Sequence, residues 1–400
     1  MSEAQKISKR TAYVAILMMG VVSMLGDIVY ESGRGIAPDY LMFLGASALL
    51  VGTVSGAGEF LGYSVRLVSG SLSDRSNAYW SFIFVGYGLI LAIPLMGFTS
   101  SLGLAILLLL LERLGKALRS PSRDTVVSVI SKNIGSGKAF GLHEAIDQIG
   151  AIIGPLLLGS VLFFTANSYP AAFGMLLIPF ALMMVVLIYA YKKVGKGVAA
   201  EVENKKEEAP FRRGGFWAYC IAVFLNTLGL MPIALILFVG SALLQPLGQA
   251  WVVPLLYVIV QAVDAPMALL SGHLFDKMGF KILVIPFAVS VFPALSISFG
   301  VLAGVIASCV AFGLVLGVQE SVYRAAVSEF VPLQKRGTAY GIFNTVLGLG
   351  TLASGVIFGF FMDNGYPATV IVGFALLLQA CAISALGWAN KLHKEYTEPG

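Results

Sequence analysis

The amino-acid sequence predicts an all-α polytopic membrane protein with about twelve transmembrane helices in two pseudo-symmetric six-helix bundles. Of its 400 residues, 58% are hydrophobic and only 12% are charged, and the mean hydropathy is +0.88. A soluble domain of this length could not hide so much apolar surface beneath a polar skin. Apolar runs of about 20 residues, long enough to cross a bilayer, recur along the chain. The two halves of the chain also resemble each other, as described below.

The apolar runs define the predicted spans in chain order. Forty-five glycines suit close contact between these helices, because lipid supplies no hydrophobic drive between them and small residues let backbones approach. The spans lie near residues 12–32, 44–70, 80–98, 102–122, 139–165, 170–191, 214–240, 247–273, 280–300, 303–326, 338–362 and 367–390.

Basic residues are concentrated in alternate loops of this topology. The opposite loops carry essentially one basic residue, Arg34. Because basic loops are retained on the cytoplasmic side, both termini and the central linker are predicted to be cytoplasmic, in a plasma-membrane protein. The basic residues of the predicted cytoplasmic side are Lys6, Lys9, Arg10, Arg75, Lys132, Lys138, those from Lys192 to Arg213, Lys277, Lys281, Lys335, Arg336, Lys391 and Lys394.

An internal repeat relates the two halves at a shift of about 200 residues. GSLSDRS at 70–76 matches GHLFDKM at 272–278, and FGLHEAIDQIGAIIGPLLLG at 140–159 matches YGIFNTVLGLGTLASGVIFG at 340–359. The only extended polar stretch, residues 192–213, lies between the halves and is interpreted as a flexible linker. The predicted domains are therefore an N-terminal bundle (1–191), this linker (192–213) and a C-terminal bundle (214–400).

These motifs resemble those of the major facilitator superfamily of secondary transporters, over essentially the whole chain. The family's cytoplasmic signature is G-x-L-x-D-R/K-x-G. In the first half Gly70, Leu72, Asp74 and Arg75 match it, whereas Asn77 replaces the last glycine; in the second half Gly272, Leu274, Asp276, Lys277 and Gly279 match it. Asp74 is expected to act as a latch at the start of the eleventh helix, near Gly337, with Asp124 as a candidate partner of Arg75.

A second motif, Gly150, Gly154 and Pro155 in the fifth span, resembles the family's signature of antiporters and exporters. It favours export, although ordinary small-residue packing with a proline bend explains the same residues. The stretch ERLGKALRSPSRD at 112–124 also resembles a group of poorly characterised prokaryotic members.

Ionisable residues inside membrane spans are costly and usually face a cavity or a partner. Most of them lie in the first half, which is therefore the expected location of coupling chemistry. The cavity and coupling candidates are Asp27, Glu31, Glu59, Glu112, Arg113, Lys116, Asp147, Gln261, Asp264, Glu320 and Arg324.

Spacing groups some of these candidates. Asp27 and Glu31 share one face of the first helix, and two such close carboxylates repel, which favours proton uptake by one of them. These two and Glu59 are the candidates for proton coupling; structural pairing with Arg34 or Arg66 is the alternative. Glu112, Lys116, Arg119 and Arg123 form a stripe on the fourth helix, which predicts either an anion-attracting vestibule or an ion-pair ladder with His143, Glu144 and Asp147.

The predicted function is proton-coupled alternating-access transport, with export of small amphipathic or anionic molecules in exchange for protons as the leading hypothesis. Symport of an organic anion and, more weakly, a divalent metal carrier are the alternatives. No nucleophile motif or nucleotide-binding loop indicates an enzyme or an ATP pump. His143 is interpreted as a structural hydrogen-bonding residue rather than a metal ligand. The expected partners are protons, a small-molecule substrate and the lipid bilayer, with no nucleic acid, no cofactor and no metal, in a monomer.

Overall fold

The computed structural model describes residues 9–131, 135–198, 213–331 and 336–397, and within these ranges the chain is helical with short turns and no β-strand. The contacts divide it into two compact units. The first unit contains the described residues up to 36 and those from 65 to 198. The second contains residues 37–64 and the described residues from 213 onward.

The first unit is built from helices whose apolar composition suits a membrane. It includes α1 only up to Ile36 and α2 only from Val65. The α-helices of the first half of the sequence are α1 (Lys9–Phe43), α2 (Ala48–Ser76), α3 (Tyr79–Gly88), α4 (Ala92–Leu95), α5 (Leu102–Ser131), α6 (Ser136–Phe164), α7 (Tyr169–Met175) and α8 (Leu177–Val198).

The second unit combines the α1–α2 corner with the helices of the second half. Several of its membrane crossings are composite, because short 3₁₀ turns such as Gly279–Leu283 join consecutive α-helices. The α-helices of the second half are α9 (Arg213–Gly229), α10 (Ile233–Leu244), α11 (Val253–Met278), α12 (Val284–Val289), α13 (Phe292–Ile297), α14 (Leu302–Val318), α15 (Arg324–Phe330), α16 (Arg336–Asp363) and α17 (Ala368–Thr397).

Ten helical segments in the described ranges are long and apolar enough to cross a membrane, and the all-α polytopic prediction is confirmed. The ten segments are fewer than the twelve predicted spans for two reasons. The 48-residue segment Ala250–Ile297 covers most of two predicted spans, 247–273 and 280–300. α5 is not among the ten, because the charges from Glu112 onward interrupt its apolar stretch.

The first helix is longer than the sequence predicted. The apolar run ends near residue 32, but α1 continues to Phe43, so Arg34 lies within a helix and not in a loop. Residues 37–64 group with the second unit by their contacts, whereas the predicted domain bounds stay a prediction. Apolar runs mark where lipid contacts a helix, whereas the helix itself ends where its backbone hydrogen bonds end. The predicted linker lies largely outside the described residues.

Equivalent glycine contacts in the two units reproduce the internal repeat. In α6, a Cβ added to Gly150 would lie 2.3 Å from the carbonyl oxygen of Met24 in α1. In α16, a Cβ added to Gly350 would lie 2.0 Å from Oγ1 of Thr227 in α9. Only glycine permits so close an approach between two helices, and the repeat aligns Gly150 with Gly350.

The seventh predicted span is broken in its middle. α9 ends at Gly229 and α10 begins at Ile233, with Pro232 before it. The interruption frees backbone groups that lipid cannot satisfy. Ser354 of α16 donates a hydrogen bond of 2.6 Å to the carbonyl oxygen of Leu230, so the break is stabilised within the second unit.

Candidate functional site

The predicted stripe on α5 lies beside α1 in the first unit, and its first member is buried among arginines. Glu112 is 2% exposed and Arg119 is 3% exposed. Arg119 Nη2 lies 3.6 Å from Glu112 Oε1, and Arg113 Nε lies 3.9 Å from Glu112 Oε2. Arg119 also donates to the carbonyl oxygen of Gly86 at 3.4 Å. These contacts compensate charges that would otherwise be costly to bury.

Tyr30 of α1 joins the cations of the stripe at one aromatic ring. Lys116 Nζ lies 3.9 Å from the ring centroid, and the guanidinium carbons of Arg113 and Arg119 lie 5.0 and 5.9 Å from it. Arg113 Nη1 also donates a hydrogen bond to the Tyr30 hydroxyl. The negative face of an aromatic ring attracts cations at such distances. The sequence did not pair Tyr30 with these cations, since no spacing rule relates residues on two different helices.

The two acids of α1 have different surroundings. Glu31 is 5% exposed, and Arg34 Nη1 lies 4.0 Å from its Oε2, so the structural pairing considered for Glu31 is present. Asp27 is half-buried and lies within electrostatic range of Glu31, Lys116 and Arg119. Glu59 is half-buried in the part of α2 that belongs to the second unit.

Arg123 ends the stripe and pairs with its neighbour Asp124. Its Nη2 lies 2.9 Å from Asp124 Oδ1, its Nε donates to the same oxygen at 3.0 Å, and its Nη1 donates to Ser23 Oγ at 3.0 Å. The pairing of Asp124 with Arg75 stays a prediction. A neighbouring arginine reaches the carboxylate more easily than a residue on another helix does.

On α6, the structure brings three potential ligand residues together. Donor atoms of His143, Glu144 and Asp147, one from each side chain, all lie within 4.8 Å of one another. His143 is buried, Asp147 is half-buried and Glu144 is exposed. Asp147 also lies within electrostatic range of Arg123, which agrees with part of the predicted ladder between α5 and α6.

The two loop motifs both have a positive φ at their last position. Gly279 has φ +58° and Asn77 has φ +52°. Asparagine tolerates a positive φ better than most residues, which fits its place in the first motif. Asp74 accepts a hydrogen bond of 3.1 Å from the Tyr79 hydroxyl. Gly70 and Gly272 are partly buried, and Arg75, Asp276 and Lys277 are exposed. The predicted latch between Asp74 and the start of the eleventh helix, near Gly337, stays a prediction.

The second unit has a neutral polar core. Asn226 Nδ2 donates to Gln379 Oε1 at 2.8 Å and to Ser290 Oγ at 3.0 Å, while the Tyr323 hydroxyl donates to Asn226 Oδ1 at 2.8 Å. Satisfied buried networks of this kind rigidify a core.

The remaining candidates of the second unit differ in how exposed their side chains are. Gln261 and Asp264 on α11 are 5% and 2% exposed. Glu320 and Arg324, by contrast, are exposed. Glu320 lies within the π-helical turn Gln319–Tyr323, and Arg324 follows it at the start of α15.

Two polar contacts at the α1–α2 corner were not predicted. Asp363, at the end of α16, accepts hydrogen bonds of 2.9 Å from the backbone N–H groups of both Ala48 and Leu49 at the start of α2. Gln245 Nε2 donates to Asp39 Oδ1 at 2.8 Å. A carboxylate at a helix N-terminus satisfies free N–H groups and the helix dipole. The only sequence signal was an acid directly after an apolar run.

Comparisons with known proteins agree with this architecture. The family model described as Major Facilitator Superfamily matches residues 11–355. An uncharacterised protein of Mycobacterium tuberculosis is 35% identical over 379 residues, covering 92% of each chain. An uncharacterised MFS-type transporter of Methanocaldococcus jannaschii is 26% identical over 378 residues, covering 91% of this chain and 92% of the relative.

Solved transporter structures share the fold at low sequence identity. A point mutant of the nucleoside transporter NupG is similar with a TM-score of 0.73 and 14% identity, covering 93% of this chain and 99% of that one. A point mutant of the peptide transporter POT has the same TM-score and identity and covers 95% of both chains. The family match over most of the sequence, together with the repeated helical units, shows that the chain belongs to the major facilitator superfamily of membrane transporters.

Proposed function

We propose that this chain is a proton-coupled secondary transporter of small amphipathic organic anions, which works by alternating access in the plasma membrane. The observation that carries the proposal concerns Lys116 and Asp27. Among the described residues, neither has an oppositely charged side-chain atom within the 4.0 Å that defines an ion pair. The other acids of the α1–α5 cluster, Glu31 and Glu112, are paired with arginines.

Lys116 has the features of an anion-binding group. Its ammonium is positioned by the Tyr30 ring rather than by a carboxylate, and its side chain is only half-buried. A compact ammonium with rotatable donors binds a carboxylate or phosphate as a point charge. Arg113, on the same ring, adds a second positive charge.

Asp27 has the features of a proton-binding group. When Asp27 is ionised, it competes with a substrate anion for the field of Lys116, which lies in its electrostatic range. Protonation removes that competing charge. Two unit charges about 8 Å apart interact by about 2 kcal/mol at an effective dielectric constant of about 20. A repulsion of this size between Asp27 and a bound anion would change anion affinity more than tenfold when Asp27 is protonated.

Two observations bear on the direction of transport, and they favour different directions. Gly150, Gly154 and Pro155 favour export in exchange for protons, as the sequence predicted. Gly154 packs on α1 as Gly150 does, since its Cβ would lie 2.5 Å from the Ile28 carbonyl oxygen, and this packing would serve transport in either direction. The coupling of Asp27 to Lys116 favours symport of proton and anion, the second candidate. The distribution of basic residues supports cytoplasmic termini.

Proteoliposomes containing the purified chain and a pH-sensitive dye test the proposal. Probes are simple mono- and dicarboxylates, phosphate esters and hydrophobic cations, preselected by thermal stabilisation. We expect an anion to move protons, K116Q to lose anion stabilisation, and D27N to keep anion binding while losing gradient-driven transport. E59Q tests the second candidate acid.

Lys193 supplies a matched control, because its Nζ lies 5.8 Å from the Tyr189 ring outside the cluster; K193Q should behave as the natural chain does. Stabilisation by cations alone, or an unchanged anion response in K116Q, would refute the anion site. Normal gradient dependence in both D27N and E59Q would refute the coupling site. Acceleration of anion uptake by an outside-acid gradient, without exchange, would refute export.

A further inference from the structure

Three side chains near the start of α6 form a compact set of metal-ligating groups apart from the Lys116–Tyr30 pair. His143 and Asp147 are four residues apart and so lie on one helical face. One donor atom each from these two residues and from Glu144 all lie within 4.8 Å of one another. Donors bound to one ion at about 2.0–2.2 Å lie about 3–4.3 Å apart. A shift of about half an ångström, available to side chains without backbone movement, would close the set around an ion.

Two side-chain atoms of these residues are buried and have no hydrogen-bond partner among the described residues. His143 is 4% exposed, and neither its Nε2 nor Asp147 Oδ1 has a partner among the described residues. Buried polar atoms are nearly always hydrogen-bonded, so an orphaned pair on one helical face points to a missing occupant.

The surrounding charges favour a divalent cation in this position. The positive charge of Arg123 lies within electrostatic range of both His143 and Asp147. Its guanidinium is already neutralised by Asp124 and held by Ser23. A neutral imidazole and the two carboxylates of Asp147 and Glu144 form a ligand set with a formal charge of −2, which matches one divalent ion.

We propose that His143, Glu144 and Asp147 bind one divalent first-row transition-metal cation such as Mn²⁺, Co²⁺ or Zn²⁺. One imidazole nitrogen and two carboxylate oxygens form a mixed ligand set that suits these ions, whereas Mg²⁺ and Ca²⁺ prefer oxygen ligands alone. Three protein ligands leave further coordination positions for water. The site does not depend on the proposed transport activity.

Equilibrium dialysis of the purified, chelator-treated full-length chain against CoCl₂ tests the site, with MgCl₂ as the competitor. We expect one Co²⁺ per chain, displaced by Zn²⁺ and not by millimolar Mg²⁺, with an absorption spectrum that indicates a nitrogen ligand. H143N and D147N should each weaken Co²⁺ binding at least tenfold. E144Q changes an exposed side chain and therefore provides a variant that folds; it should weaken binding in the same direction.

The matched control is H273N/D276N, which removes an exposed aspartate and a nearby histidine from α11 and should leave Co²⁺ binding unchanged. Absence of stoichiometric Co²⁺, or binding that is unaffected by both E144Q and D147N, would overturn the proposal. So would equal displacement by Mg²⁺. Because no gradient or substrate is present, these outcomes are independent of whether the chain carries anions.

Discussion

The close contact between α2 and α16 leads to a quantitative prediction for the variant G355A. Gly52 and Gly355 face each other so closely that a Cβ on either would lie 2.2 Å from the carbonyl oxygen of the other. Ordinary contact begins near 3.4 Å, so G355A would force the two backbones apart by about 1.2 Å. Because the opposing atom is backbone oxygen, no side-chain rotation can relieve the overlap.

Overpacking of this kind costs about 1–3 kcal/mol, which corresponds to a shift of about 5- to 150-fold in the equilibrium between packed and separated arrangements. Residues 37–64 belong to the first half of the sequence but pack in the second unit. The alternating-access cycle proposed above would open and close contacts of this kind. We therefore expect G355A to favour arrangements in which α2 and α16 are apart at this level.

Hydrogen–deuterium exchange measures this shift in the purified chain. G355A should raise exchange in peptides that cover 48–60 and 350–363, and G52A should have the same effect. Gly62 is the control on the same helix, since a Cβ there meets no atom within 4 Å; G62A should leave exchange unchanged. Equal exchange in G355A, G62A and the natural chain would refute the reasoning.

Three further predictions concern stability. E112Q should lower the apparent melting temperature markedly, because a buried Arg119 that loses its partner costs about 3–5 kcal/mol; E112Q/R119Q should recover part of the loss, and additive losses would contradict the pair. D363A removes the carboxylate that accepts from Ala48 and Leu49 and should cost about 0.5–2 kcal/mol, as lost helix caps do, whereas D363N should cost less. At Asn77, N77G should be tolerated and N77V should destabilise the chain in thermal unfolding, because β-branched residues disfavour its positive φ.

Sequence patterns predicted the parts of this fold that depend on periodic or local physics. Long apolar runs require lipid, and the repeat of the 70–76 segment at 272–278 required two similar units. The alignment of 140–159 with 340–359 placed Gly150 and Gly350 at equivalent positions, and the structure shows that each lies in a close helix contact.

The candidate site was less predictable because it depends on partners far apart in the chain. The spacing of Glu112, Lys116 and Arg119 predicted a shared face, yet it could not reveal that Tyr30 lies against these cations. The same limit explains why the contact between Arg123 and Asp124 was not predicted. Helical periodicity gives the direction in which a side chain points along its own helix, whereas the identity of the facing residue depends on how two helices cross.

The unequal distribution of charge between the units suggests why one of them would perform the coupling. In the first unit, the α1–α5 cluster holds several buried or half-buried charges whose pairing can change when one proton binds. In the second unit, Asn226, Gln379 and Tyr323 are neutral and hydrogen-bonded to one another, so their energy depends little on pH. The pH difference of a proton gradient acts only on groups whose protonation it changes. A neutral, fully satisfied network can instead keep a rigid shape while the charged cluster switches. We therefore expect Q379A to alter the thermal stability more than the pH dependence of transport, and D27N to alter the pH dependence more than the stability.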